Sequence, residues 1–233
     1  MATIYAGNEA DAAIIDQTGV MPSTWSSVRD ASSGTVSALG RSFNGMRAKH
    51  YIGKGSSSNY SVTRSFFWFD TSSITGTVSA ADFSCLGYVN TGADVIVVKS
   101  TAFGGDGGTS LAAADFNNFD TSTPYSSEYT SWTSGSFNDI ALNSTARTDI
   151  QNNNVLIVCL MEYDHDFQDS APSGGNEYTS GVYLWSSGTS NDAHLEVTVS
   201  TGYGDTVIGV APANIAKVKG VATANIEKVI GVD

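Results

Sequence analysis

A chain of 233 residues with 24 glycines and only 15% charged residues is long enough for one large all-β domain, and its composition favours turns and short strands over helices. The net charge of −12 argues against a nucleic-acid partner and against anionic membranes, because phosphate binding needs a basic footprint. No apolar run reaches the roughly 18 residues of a transmembrane helix, and residues 1 to 20 lack the basic start and apolar middle of a secretory signal, so Sec-dependent export is not expected.

Period-two runs separated by Gly, Ser, Asn and Asp clusters recur through residues 1 to 204 and predict a β-sandwich. The first long connection is "SFNGMRAKHYIGKGSSSNYS" (42 to 61). It leads into the strand "YSVTRSFFWFD" (60 to 70), where Phe67 and Phe69 share one face and Phe66 and Trp68 the other, so both faces are covered. Asp70 with Ser72 and Ser73 forms a turn before "ADFSCLGYVN" (81 to 90), and "ADVIVVKST" (93 to 101) is the next strand.

A second long connection, residues 102 to 136, is rich in Gly and Ser and carries Tyr125, Tyr129 and Trp132. Two readings stand for these rings: they pack over a sandwich edge, or they form a platform that stacks on the sugars of a host surface glycan. Its "GGDGGTS" (104 to 110) lacks the GK[ST] ending of a phosphate loop and reads as a turn. "STARTDIQNN" (144 to 153) predicts one or two helical turns capped by Ser144 or Thr145. "NNVLIVCLMEYD" (153 to 164), "SGVYLWSS" (180 to 187) and "AHLEVTVS" (193 to 200) complete the strand set. Cys85 and Cys159 lie in apolar runs and read as two free buried thiols, with one disulfide as the alternative.

The acidic stretch "EYDHDFQD" (162 to 169) gathers Glu162, Asp164, Asp166 and Asp169 around His165. It reads as a polar loop after a strand, or else as a calcium site, since oxygen ligands at alternate positions suit a hard cation. A catalytic carboxylate pair has no partner in view. His50, His165 and His194 are scattered, with neither HExxH nor zinc spacing nor a Ser-His-Asp setting, so neither a catalytic residue nor a cofactor is expected.

After "STGYGD" (200 to 205), the best boundary in the chain, the sequence repeats itself. Gly209, Gly220 and Gly231 recur every 11 residues, as do Val207, Val218 and Val229, and Asn214-Ile215 is echoed by Asn225-Ile226. Lys217, Lys219 and Lys228 balance Asp205, Glu227 and Asp233, so residues 205 to 233 are neutral and residues 1 to 204 carry the whole −12. Short apolar strands of this kind need cover, so Val207, Ile208, Val210, Ile215, Val218, Val221, Ile226 and Val229 are the candidate assembly residues.

"RSFFWFDTSSITGTVSAADFSCLGYVN" (64 to 90) resembles the central signature of DNRLRE-type domains, which are jelly-roll sandwiches with the architecture of carbohydrate-binding modules. The opening "DAAIID" and "STWSSVRDASSG" are similar to the start of those domains. The resemblance spans roughly residues 3 to 200 and is specific only around Arg64 to Ile74. With "ADVIVVKSTAFGG", "LIVCLMEYDHDFQDSAP" and the "IxKVxGV" repeats, the chain also resembles virion structural proteins of tailed bacteriophages.

The resemblance implies an all-β jelly-roll sandwich over residues 1 to 204, with Arg64 and Asp70 as framework positions, followed by a β repeat tail over residues 205 to 233. It implies a non-enzymatic virion protein, made in the host cytoplasm, that forms homo-oligomers and contacts other capsid or tail proteins. Capsid decoration is the leading role, with a tail-fibre or tail-associated component and a glycan-binding adhesin as the alternatives.

Overall fold

The computed structural model describes residues 1–6, 12–36, 45–184 and 191–200, together with the backbone of residues 37, 43–44, 217–218 and 221–222. The first strands are β1 (Ala2–Tyr5) and β2 (Ala12–Thr18), followed by the short helix α1 (Trp25–Arg29). Next come β3 (Thr35–Ser37), β4 (Phe43–Ile52), β5 (Ser58–Asp70), β6 (Thr77–Asn90) and β7 (Val95–Ser100). The chain continues through β8 (Phe119–Pro124), β9 (Phe137–Ala141), α2 (Ser144–Asn152), β10 (Val155–Glu162), β11 (Glu177–Val182) and β12 (His194–Ser200).

These strands join in one antiparallel network ordered β1-β12-β6-β11-β4-β5-β10-β7-β8, with β9 beside β6, β2 beside β5 and β3 beside β2. The network folds over so that its β1-β12-β6-β9 part faces its β2-β5-β10-β7 part, giving the all-β sandwich that the strand pattern predicts. Phe83 of β6 marks the closure: its ring lies 5.2 Å from that of Phe67 and 6.0 Å from that of Phe69, both on β5.

β5 carries the fold because its two faces serve two cores. Phe67 and Phe69 point into the sandwich with Val97, Val158, Leu160, Leu195 and Val197. Phe66 and Trp68 point the other way, into a second cluster closed by Trp25 and Val28 of α1 and by Phe103, Leu111 and Phe116 of the connection after β7. The near-continuous apolar run of β10 has the same cause, with Val158 in the first cluster and Cys159 in the second. Cys85 belongs to the first cluster, so the two thiols occupy different cores; both are buried and free.

Two readings of local structure need correction. Residues 42 to 61 are not a long loop: β4 and the start of β5 pair from Arg47–Thr63 to Ile52–Ser58, and only a tight turn joins them. Met46, Ala48 and His50 are buried while Arg47, Lys49 and Tyr51 are half-buried, so a strand alternation is present but written in small and amphipathic residues. The cap of α2 is Asn143, one residue before those expected; its side chain accepts from the Thr145 and Ala146 amides, and its own amide donates to the Pro124 carbonyl.

Candidate interaction face

The deepest polar site in the body is built around Arg64. Its Nε and Nη2 donate to both carboxylate oxygens of Asp166, at 2.8 and 2.6 Å, and both side chains are fully buried. Nη1 donates to the Phe116 carbonyl and Nη2 also to that of Arg29, while Phe116 and Phe119 stack on the guanidinium at 4.2 and 4.3 Å. The acidic stretch is therefore no open polar loop. Residues Tyr163–Phe167 form a π-helical turn, and the buried Glu162 carboxylate accepts from the amides of Asp164, His165 and Asp166. Burial, reinforced by Asp166 and Asp164, pushes the Glu162 carboxyl up to about 8 against the pull of those amides.

That arrangement ties up the buried Glu162 and Asp166, while Asp164 and Asp169 stay exposed. Among the described residues, no group of three or more His, Cys, Asp or Glu side chains is placed to hold a metal ion. Burial raises the thiols of Cys85 and Cys159 far above the ordinary thiol range, leaving them hydrophobic in character.

The rings singled out in the second long connection do not form a platform. Tyr125 is 2% exposed and Trp132 4%, and Tyr129 packs against the sandwich core. The Tyr125 hydroxyl donates to Asp149, which also holds Lys99 at 2.8 Å beside a cleft of about 260 Å³. Trp132 donates through Nε1 to the Val89 carbonyl. With their faces covered, Tyr125 and Trp132 cannot stack on a sugar, so the glycan reading loses two of the three residues it rested on and keeps only the half-buried Tyr129.

Exposed rings gather instead on the outer face of β1-β12-β6-β9. Strand register builds it in rows: Thr3, Glu196, Asp82 and Ala141 lie across from one another, and Tyr5, His194, Ser84 and Asp139 form the next row. Leu86 and Phe137 begin a third. Ser84 is small, so the His194 ring reaches across it to Phe137 at 5.2 Å, while Tyr5 meets His194 from the other side at 5.2 Å. Tyr88 and Tyr183 extend the aromatic surface edge to face at 5.4 Å. Tyr5 and Phe137 are each 39% exposed and Tyr88 46%.

The same face is acidic, and among the described residues no lysine or arginine pairs with Asp82, Asp139 or Glu196. The four strands read ATIY, HLEVTVS, TVSAADFSCLGYVN and FNDIA and contain neither lysine nor arginine. Asp82 and Glu196 are register partners, and like charges directly opposite one another weaken a strand pair. Partial burial, then Asp139 and Glu196, raise the Asp82 carboxyl above its ordinary value. The signal lay in the alternation of "ADFSCLGY", where Asp82, Ser84, Leu86 and Tyr88 share one parity, but only the strand order places Tyr5, His194 and Phe137 beside them.

Of the candidate assembly residues, Val207, Ile208, Val210, Ile215, Ile226 and Val229 lie outside the described residues. Val218 and Val221 are register partners in a hairpin of β13 (Lys217–Val218) and β14 (Val221–Ala222), a two-stranded sheet separate from the twelve-stranded network. No family model matches the chain, and no curated protein matches it.

Proposed function

We propose that the protein is a non-enzymatic structural component of a tailed-phage particle, a capsid decoration protein whose sandwich is displayed outward and whose C-terminal repeat docks or oligomerises it. The observation that carries this reading is the hairpin of β13 and β14, where Val218 pairs with Val221 and, among the described residues, neither strand pairs with the sandwich. An isolated two-stranded hairpin is marginal in water, so its apolar side chains call for a partner. The division of charge supports the same role, with an acidic body that repels its neighbours and a neutral, lysine-bearing segment that can approach them. A structural rather than catalytic body agrees with Arg64, Asp166 and Glu162 each spending its bonding capacity on the fold.

The test is removal of residues 205 to 233, alongside the full-length double variant Ile215→Asp with Ile226→Asp. Both should keep the wild-type thermal midpoint and lose assembly or particle binding, since interfaces fail when apolar anchors are lost. A double variant that unfolds early places these residues in the sandwich core instead. One that folds and binds normally removes the assembly role. Electron microscopy of intact particles then separates decoration of the capsid lattice from a tail position.

A further inference from the structure

Resting on that assembly reading, we propose that the acidic aromatic face of β1-β12-β6-β9 is the receptor for the lysine-bearing C-terminal repeat of a neighbouring copy. The face combines what this occupant requires. Tyr5, His194, Phe137 and Tyr88 give it apolar ring area, and Asp82, Asp139 and Glu196 give it negative charge with no lysine or arginine on its four strands. Residues 205 to 233 offer the complement, with Lys217, Lys219 and Lys228 interspersed among Val218, Val221, Ile226 and Val229. Lysine stems lie along aromatic surface while their ammonium groups reach carboxylates, so one segment satisfies both features.

The Asp82 and Glu196 pair makes the case stronger. Placing two carboxylates in register costs stability in the free sandwich, and a cation seated over them relieves that cost. Glu128, whose carboxyl is raised by desolvation and then by Asp94 and Asp164, marks a second acidic cluster on the body, whereas four other carboxylates have a cationic partner. Asp166 has Arg64, Asp149 has Lys99, Asp16 has Arg47, and Glu177 has Lys49. His194 lies 3.8 Å from Glu196, but it stands between Tyr5 and Phe137 and is charged only when protonated. Between copies whose bodies carry the whole −12, the neutral repeat with its three lysines can approach this face with less repulsion than another body can.

The experiment is a charge exchange in the full-length chain, read by sedimentation velocity, with thermal unfolding recorded on every sample. One variant carries Asp139→Lys and Glu196→Lys; Asp139 is exposed and Glu196 partly so, which keeps the substitutions out of the core. The second carries Lys217→Glu, Lys219→Glu and Lys228→Glu. Wild type should associate, more weakly as salt rises from about 0.05 to about 0.5 M. Each variant alone should lose affinity by roughly a hundredfold or more, because like charges now face one another. An equimolar mixture should regain association, since each variant's face then meets a repeat of opposite charge.

A face variant that folds and associates like wild type overturns the proposal. If the lysine variant or the deletion of residues 205 to 233 abolishes association while the face variant does not, the repeat assembles on another surface, so the receptor fails and the assembly reading stands. Wild type that remains monomeric at all concentrations ends both. A face variant that instead loses binding to glycans, with self-association unchanged, assigns the rings to sugar and overturns the proposal. Failure of the mixture to associate overturns it as well.

Discussion

Arg64 has no access to water, so its charge is supported wholly by Asp166, two carbonyls and two rings. Arg64→Met removes both charge-assisted bonds to the buried Asp166 carboxylate, leaving it only Arg29 Nε at 3.7 Å as an ion partner, and should cost about 3–5 kcal/mol in urea unfolding. Adding Asp166→Leu should return part of that loss, because the apolar pair removes the orphaned charge. Glu162 gives a pH dependence of known sign. Its carboxyl is raised from 4.5 to about 8, so between those values the folded chain holds a proton that the unfolded chain releases. The Glu162 contribution is full below pH 4.5 and is lost as pH rises through 8, an effect on the order of 5 kcal/mol. Thermal midpoints measured from about pH 5 to 8 should fall for wild type and stay flatter for Glu162→Gln. Neither role was legible in "EYDHDFQD" alone, because the partners of Asp166 and the burial of Glu162 come from residues about a hundred positions away or on other elements.

The central strands announced themselves, while those built of small or charged residues did not. β5 and β10 read as covered strands because both parities are apolar, and both faces are indeed packed. β4 escaped because Arg47 and Lys49 occupy its outer parity, with their stems on the sheet and their charges paired to Asp16 and Glu177. The start of α2 shows the same difficulty at a helix end. Ser144, Thr145 and Asn143 are all good caps by type, and the choice falls on Asn143 because its amide is also tied to Pro124 on β8. Asn143→Ala removes all three side-chain bonds and should lower stability by about 1–2 kcal/mol, while Ser144→Ala should change it little; chemical denaturation of the two variants checks this.

At the scale of the whole molecule, Phe83 holds the two halves of the sandwich together, since its ring touches Phe67 and Phe69 from across the core. Phe83→Ala should cost about 3–5 kcal/mol, with near- and far-ultraviolet signals still changing in one transition. Coincident transitions follow from β5, whose two faces belong to both cores, so neither cluster can melt without the other losing a wall. Two separated transitions would show that the cluster beneath α1 opens by itself. The free state of Cys85 and Cys159 also belongs to this scale, because the sheet lies between the cores that hold them.

The sequence by itself determined the all-β class, the covered β5 and β10, and the buried cysteines, because these depend on period-two alternation, which every strand carries locally. It also displayed the repeat and the split of charge between body and tail, which are properties of the chain's order alone. Tertiary structure decided which rings face water. Tyr125 and Trp132 look like loop aromatics until the connection folds onto the core, and Tyr5, His194 and Phe137 look unrelated until β1, β12, β6 and β9 set them side by side. Exposure depends on what covers a residue and adjacency on strand order, and both come from contacts between segments far apart in the chain.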